Sequence, residues 1–285
     1  MRIGNVGGRA SLIVDAGAID IDRASGGKFP ADMAGLFECW GDFIAWAREG
    51  RFETGAEAFD ERSLGAPSPM PRQVFAVGLN YRDHALGEAG LKELPTSPLI
   101  FTKFPTCIAG PYDDLPLPVG NVDWEIELVA VIGTRASRVS VEDALDHVAG
   151  YAVGQDFSER LMQLSGGMPQ FSLGKSFPGF GPFGPWLVTL DALDETNGLA
   201  VECTVNGVKV QGSDTSQLIF PVNDLVSRLS HVCTLLPGDV IFTGTPAGVG
   251  NARNPKWFLK PGDEVVSTIA QIGSIKQTCV ADPCQ

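Results

Sequence analysis

The chain has 285 residues, of which 44% are hydrophobic and 19% charged, enough for one large domain or a small domain plus a large one. Lysine and arginine together number 21 against 34 aspartates and glutamates, so the formal net charge is -13. Such an acidic surface repels phosphate backbones and anionic lipids, which argues against a nucleic-acid or membrane-surface partner. A small anionic substrate stays compatible if its site supplies local positive charge.

The sequence shows no membrane or export signal. No stretch approaches the ~20 apolar residues of a membrane span, and the N-terminus lacks the apolar region of a signal peptide. The six cysteines lack CxxC spacing, so we expect mostly small buried side chains in a reducing compartment and a cytoplasmic protein. They are Cys39, Cys107, Cys203, Cys233, Cys279 and Cys284.

Residues 1–68 are predicted to form a small N-terminal α/β domain, followed by a catalytic domain over residues 69–285. The spacing of apolar residues predicts one helix over Met33–Arg51, and the Pro- and Gly-rich segment Gly65–Pro71 is typical of a linker. The predicted strands of the small domain are Ile3–Val6, Ser11–Val14 and Ala18–Ile21.

From Arg72 onward, short β-rich runs alternate with turns, which predicts an α+β, β-rich fold. Short helices are expected at Ala85–Gly90 and Val141–His147 and after Ser158. The predicted strands are Val74–Val77, Leu99–Lys103, Val122–Gly133, Tyr151–Gln155, Trp186–Val188, Ala200–Val205, Val240–Phe242 and Val265–Ile269.

The strand Val122–Gly133 carries two carboxylates, Glu125 and Glu127, which alternation places on one face. Like charges on an apolar strand repel each other and cost desolvation energy, and a divalent cation would offset both. A solvated strand face explains the same pattern, so this stretch alone leaves both interpretations open. Its neighbour Asp123 either supports the metal ligands from behind or simply starts the strand, and the second interpretation is preferred.

Further polar residues extend the cation hypothesis. Asp156 follows a strand, and together with Glu125 and Glu127 it gives an oxygen-only ligand set that suits Mg²⁺ or Mn²⁺. Lys175 stands in an otherwise apolar segment and offers a cation for a developing anion. His84, with Glu88 four residues on, is a possible base with its orienting carboxylate.

From about Val74 to the C-terminus the chain resembles the fumarylacetoacetate hydrolase superfamily. The resemblance implies a mixed β-roll and a homodimer, with metal bound by Glu125, Glu127 and Asp156. It also implies catalytic roles for His84 and Lys175 and substrate contacts from Tyr81, Arg82, Arg160, Gln163 and Thr245. The matching motifs are GLNYRDHA (78–85), DWEIEL (123–128), GQDFSERLMQ (154–163), GKSFPGFGPFGPW (174–186) and FTGTPAGVG (242–250).

The sequence departs from the family pattern next to the base. Many relatives have a glutamate three residues after the histidine, where this chain has Gly87, with Glu88 one position further on. Positions i+3 and i+4 lie on the same side of a helix, so we expect Glu88 to reach His84 as a catalytic residue. Gly87 weakens that helix and suggests a lid over the substrate. Leu161 stands where relatives often carry an acidic residue.

The predicted activity is metal-dependent hydrolysis of a carbon–carbon bond in a 2,4-diketo acid, of the acylpyruvate or diketo-deoxy sugar acid type. The products would be pyruvate and a second carboxylic acid, in sugar-acid or aromatic catabolism. The same site would also support oxaloacetate decarboxylation, or hydration, isomerisation or tautomerisation of a 2-oxo acid. A catalytically silent metal-dependent binding protein is the alternative of another class.

Overall fold

The computed structural model describes residues 1–50, 52, 55–194, 196 and 198–282. Within these ranges lie six α-helices: α1 (Ile21–Ala24), α2 (Met33–Glu38), α3 (Trp40–Glu49), α4 (Arg160–Gln163), α5 (Phe171–Gly174) and α6 (Val222–Val232). The same ranges contain 18 strands: β1 (Arg2–Val6), β2 (Arg9–Val14), β3 (Gly17–Asp20), β4 (Leu64–Gly65), β5 (Val74–Gly78), β6 (Leu99–Thr102), β7 (Ile108–Ala109), β8 (Leu115–Leu117), β9 (Val122–Asp123), β10 (Ile126–Ile132), β11 (Val148–Gln155), β12 (Ser158–Glu159), β13 (Gly181–Val188), β14 (Ala200–Val205), β15 (Val208–Asp214), β16 (Val240–Phe242), β17 (Glu264–Ile269) and β18 (Gly273–Ala281).

An 11-stranded mixed sheet forms the centre of the molecule, in the order β3-β2-β1-β13-β11-β10-β16-β5-β6, with β4 added beside β1 and β7 beside β13. A second sheet has the order β15-β14-β17-β18-β8, and β9 and β12 form a small pair. This mixed, β-rich architecture confirms the predicted fold class.

Strand β10 lies between β11 and β16 in the large sheet, and it is buried on both faces because an apolar core covers each of them. On one face, Ile126 and Leu128 pack in a core that also contains apolar residues of the five-stranded sheet. On the other face, Val129 and Val131 pack in a core with residues of α2 and α3. Glu127 has the same parity as Val129, so its carboxylate lies on a buried face of the sheet.

The N-terminal strands extend the large sheet. β1 pairs with β13, with Ile3 opposite Leu187, and both side chains lie in the core beneath α2 and α3. The division into domains at residues 68 and 69 stays a prediction, and the sheet and this core continue across it.

Several element boundaries differ from the predicted ones. The helix expected over Met33–Arg51 is two helices, because Cys39 leaves the helical conformation at φ -124° and ψ 29°. Arg51 itself lies outside the described residues. The expected strand Val122–Gly133 is interrupted at 124–125, and the helix expected at Val141–His147 is a 3₁₀ turn at Ala144–His147.

The cysteines with described positions are free thiols, as expected, and Cys284 lies outside the described residues. Cys107, Cys203 and Cys279 are buried, and burial raises the pKa of Cys203 to about 12. Over the same part of the chain, no helix has the length and apolar character needed to cross a membrane.

We predict that the N-terminal strands unfold together with the rest of the sheet. Ile3→Ala should lower the free energy of unfolding by about 2–5 kcal/mol, because it opens a cavity in a core shared with Leu187. Urea unfolding followed by both circular dichroism and tryptophan fluorescence should give one coincident transition. Val232→Ala, at a side chain that is 88% exposed, should change little. Two separated transitions would contradict the prediction.

Candidate active site

Two parallel strands direct their following loops to the same edge of the large sheet. β5 and β16 pair in parallel, so loops 79–84 and 243–250 leave the sheet side by side. Asn80 joins the loops, since its amide donates a hydrogen bond of 2.7 Å to the Thr243 carbonyl. Gly244 packs so closely here that a Cβ would lie 2.7 Å from that of Asn80, and its φ of +107° favours glycine.

Three carboxylates meet where β10 begins and β11 ends. The two strands are antiparallel with Ile126 opposite Gln155, so the residue before β10 lies beside the residue after β11. The Asp156 N–H donates to the Glu125 carbonyl at 2.9 Å. Carboxylate oxygens of Glu125, Glu127 and Asp156 all lie within 4.8 Å of one another, and all three residues are buried. Burial of Glu127 to 1% exposure excludes a solvated strand face.

Two buried cations neutralise part of this charge. Lys175 Nζ donates to Glu125 Oε2 at 2.8 Å and to Asp156 Oδ2 at 2.7 Å, and Arg160 Nη2 lies 2.7 Å from Glu125 Oε1. Burial would raise the pKa of Glu125, but Lys175 and Arg160 outweigh it and lower that pKa to about 2. Burial would lower the pKa of Lys175, and the neighbouring carboxylates raise it instead. Glu125 and Lys175 are therefore held in their charged forms.

Glu127 is the carboxylate that these cations do not reach. Its Oε2 accepts a hydrogen bond of 2.7 Å from the Gly244 N–H, and within the described ranges no lysine or arginine forms an ion pair with it. Burial, Asp156 and Glu125 raise its pKa well above the ordinary range. A divalent cation bound by the three carboxylates would relieve that repulsion. The all-oxygen donor set therefore fits a hard cation.

Lys103 is a site residue that the sequence interpretation missed. It follows β6, is fully buried, and donates to Asp156 Oδ1 at 2.6 Å as well as to the backbone carbonyls of Lys175 and Phe180. One ammonium group therefore fixes a carboxylate of the acidic cluster and the backbone of the second lysine. The only signal in the sequence was a lysine at the end of an apolar strand. A lysine whose ammonium group extends to the surface gives the same sequence pattern.

His84 and Glu88 form a pair, although the glutamate is displaced by one position. His84 Nδ1 lies 2.7 Å from Glu88 Oε2, and Glu88 Oε1 accepts a 2.7 Å hydrogen bond from the Gly248 N–H. The turn His84–Glu88 is π-helical, with the Ala89 N–H donating to the His84 carbonyl five residues earlier. With Nδ1 held by Glu88, the Nε2 atom of the imidazole stays available for proton transfer.

Asp123 stands in β9, at the start of the acidic stretch as predicted, and it also organises the site. Its fully buried carboxylate accepts hydrogen bonds from Arg160 Nε and Nη2 at 2.9 and 2.7 Å and from the N–H groups of Gly250 and Asn251. It therefore orients the guanidinium of Arg160, whose Nη1 also donates to Gln163 at 2.8 Å. Of the two interpretations, the preferred one, a strand-start residue, was incomplete, because sequence alone does not show this distant loop.

A cavity of about 300 Å³ gathers most of the predicted residues. Thr245 is buried in its wall, and its hydroxyl accepts a 2.8 Å hydrogen bond from Gln211. Neither Tyr81 nor Arg82 is among its lining residues. Tyr81 is fully buried and its hydroxyl has no hydrogen-bond partner among the described residues, whereas Arg82 is exposed. The predicted residues in the wall are His84, Glu88, Glu125, Arg160, Gln163, Lys175 and Thr245.

The sequence model of the fumarylacetoacetate (FAA) hydrolase C-terminal family matches residues 73–280. The chain belongs to this family. The match covers the acidic cluster, the His84–Glu88 pair and both buried lysines, and it confirms the resemblance noted from the motifs. It begins at the first residues of β5, so the N-terminal strands and α1–α3 lie outside it.

Proteins with different enzyme names are similar to this chain. The chain is 44% identical over 212 residues to the protein named oxaloacetate tautomerase FAHD2A, mitochondrial, from Bos taurus, and the match covers 74% of this chain and 67% of that protein. The crystal structure of an HpcE protein from Mycobacterium smegmatis superposes with a TM-score of 0.91 at 47% identity, covering 99% and 100% of the two chains. Maleylpyruvate hydrolase from Sphingobium sp. SYK-6, crystallised with manganese(II) and pyruvate, gives 0.80 at 29% identity, with 99% of each chain covered.

These names correct one expectation. The Bos taurus relative is mitochondrial by name, and so is the Homo sapiens relative, which is 44% identical over 212 residues. The cytoplasmic location expected from the sequence is therefore wrong. It relied on free cysteines, and these indicate a reducing environment without identifying the compartment. The structure describes a single chain, so the expected homodimer stays a prediction.

We predict that Lys103→Met strongly destabilises the protein. The substitution removes a buried charge and leaves an Asp156 oxygen and two carbonyls without their donor, which should cost about 3–5 kcal/mol of unfolding free energy. Guanidinium unfolding measures this loss. Lys209→Met, at an exposed ion pair with Glu202, serves as the matched control and should cost less than about 1 kcal/mol. Equal effects of the two changes would contradict the role assigned to Lys103.

Proposed function

We propose that this protein is a metal-dependent tautomerase of 2-oxo acids, of the type that interconverts the enol and keto forms of oxaloacetate. The observation that carries the proposal is one cavity lined by the carboxylate-held imidazole of His84, by Glu125 of the acidic cluster and by Lys175. Tautomerisation needs one proton moved between an oxygen and a carbon of the substrate, and a positioned imidazole suffices for that. The similarity to oxaloacetate tautomerases favours this reaction over the hydrolysis expected from sequence.

The acidic cluster supplies the metal site of the proposed enzyme. Glu125, Glu127 and Asp156 would hold Mg²⁺ or Mn²⁺, in line with their oxygen-only donor set. When bound, the cation supplies Lewis-acid stabilisation of negative charge on the substrate's oxygens. Lys175 adds a second fixed positive charge at the same place, because two carboxylates hold its ammonium group from either side.

The polar residues of the cavity orient the substrate. Arg160 and Gln163 are hydrogen-bonded to each other at 2.8 Å and line the cavity together, so they present fixed donors to a substrate carboxylate. Thr245 accepts from Gln211, which leaves its own hydroxyl proton for a substrate oxygen. His84 then takes a proton from the enol hydroxyl at Nε2 and delivers one to the adjacent carbon. The resulting imidazolium is stabilised by Glu88.

Carbon–carbon bond hydrolysis is the second candidate, because an imidazole oriented by a carboxylate also activates water. The similarity to maleylpyruvate hydrolase, at a TM-score of 0.80, supports it. The two reactions differ in their products. Incubation with acetylpyruvate, followed by chromatography for acetate and pyruvate, would detect hydrolysis. With oxaloacetate, faster equilibration of the enol and keto forms without release of carbon dioxide would indicate tautomerisation instead of decarboxylation.

We predict that His84→Ala lowers kcat/KM for oxaloacetate tautomerisation by about 10²–10⁴-fold, because the proton carrier is lost. Glu88→Gln keeps the side-chain size and should lower kcat with little change in KM, since it removes the charge that stabilises the imidazolium. Stopped-flow absorbance of enol decay measures both. Asp83→Asn is the control, because Asp83 precedes the turn and is exposed, and asparagine keeps the side-chain oxygen that accepts from the His84 N–H. Wild-type rates in His84→Ala would exclude the proposed proton transfer.

We predict that Glu127→Gln weakens Mn²⁺ binding at least tenfold, because it removes a charged ligand. Isothermal titration calorimetry measures the affinity, and His84→Ala should leave it unchanged. Protein stripped by chelator should lose its activity and regain it with Mn²⁺. Full turnover by metal-free protein would refute metal dependence. Strong metal binding without turnover of any 2-oxo acid would favour the silent binding protein.

A further inference from the structure

The outer part of the cavity wall is apolar, and it begins next to the catalytic lysine. The Phe101 ring centroid lies 5.5 Å from Lys175 Nζ and 5.5 Å from the centroid of Phe171. These rings come from two elements, since Phe101 lies in β6 and Phe171 begins α5. The other apolar side chains of the wall include Leu99, Leu164, Val249 and Ala89. A substrate held at the acidic cluster would therefore extend its tail along an aromatic and aliphatic surface.

The charges of the cavity disfavour a carboxylate in that outer part. Within the described part of the chain, the lysine and arginine side chains that line the cavity are Lys175 and Arg160. Lys175 is held by Glu125, Asp156 and Ser158, and Arg160 by Asp123, Glu125 and Gln163. Glu88 adds a negative charge to the same wall. A distal carboxylate would lose its hydration without gaining a cation of its own.

The size of the cavity also favours a substrate with an apolar tail. Its volume of about 300 Å³ is at the lower limit of pockets that hold drug-sized ligands. This volume is more than a four-carbon acid such as oxaloacetate requires. A planar ring attached to the third carbon would fill the remaining space and contact Phe101 and Phe171 in a tilted or offset stack.

We infer that the substrate class of this site is 2-oxo acids with an aromatic or branched apolar group on the third carbon, such as phenylpyruvate. The inference rests on the proposed tautomerase function and adds the identity of the tail. The reaction is the same isomerisation: one proton leaves the enol oxygen and one proton reaches the third carbon through His84. No oxidant, reductant or second substrate is required.

The matched pair Leu164→Lys and Leu161→Lys tests the inference. Both leucines are on or directly after α4, and they are 54% and 59% exposed, so a lysine is tolerated at either position. Leu164 lines the cavity and Leu161 does not. Leu164→Lys should raise KM for phenylpyruvate about tenfold or more and lower KM for oxaloacetate, because it adds a cation to the apolar wall. Leu161→Lys should change neither.

Two further measurements separate the possible outcomes. Wild-type protein loaded with Mn²⁺ should have a KM for phenylpyruvate about tenfold or more below that for oxaloacetate. Phe171→Ala should reduce this difference, because it should raise KM for phenylpyruvate by a larger factor than KM for oxaloacetate. If neither acid is tautomerised above the spontaneous rate, the proposed function itself fails. If oxaloacetate is tautomerised with the lower KM and Leu164→Lys has no effect, only the inference about the tail is overturned.

Discussion

A cluster of buried charges at the ends of β10 and β11 is the constraint on which the rest of the structure depends. Among the described residues it contains four carboxylates and three cations, so one carboxylate has no cation to pair with. Separating such charges from water costs several kcal/mol per ion, and only mutual pairing offsets this cost. The carboxylates are Asp123, Glu125, Glu127 and Asp156, and the cations are Lys103, Arg160 and Lys175.

The unmatched carboxylate supports the proposed metal site. A divalent cation would favour the ionised form of Glu127, and its positive charge would attract the carboxylate of a 2-oxo acid. Glu127 is the residue that a bound cation would affect most, because it has no ion pair with a lysine or arginine among the described residues and its neighbours raise its pKa. The two apolar cores on either side of β10 keep the cluster away from water, so these charges interact in a medium that screens them weakly.

How much could be predicted from sequence depended on whether a pattern was local. Strand alternation was enough to bring Glu125 and Glu127 together, and helical spacing was enough to pair His84 with Glu88, although the turn is π-helical. The burial of Lys103 could not be predicted, because it depends on carbonyls more than seventy residues away.

The same limit applies to the neighbours of the acidic stretch and to the N-terminal helix. Asp123 acts through Arg160, Gly250 and Asn251, which only the folded chain brings together. The interruption at Cys39 is likewise a tertiary effect, since the apolar spacing continues through it. Local patterns therefore predicted which candidate ligands and which candidate base lie together, and the residues that hold them required the fold.

One glycine-rich loop contacts both the acidic cluster and the His84–Glu88 pair. The Gly244 N–H holds Glu127, and the Gly248 N–H holds Glu88, so loop 243–250 fixes a carboxylate of each group. A Cβ at Gly248 would lie 2.1 Å from the Val210 carbonyl oxygen, and its φ is +116°, so this position requires glycine. Leu164 and Phe171 belong to a different part of the chain, at α4 and α5. Because separate segments line the outer cavity and hold these carboxylates, substitutions at these two positions would alter the proposed tail specificity without touching the acidic cluster or the His84–Glu88 pair.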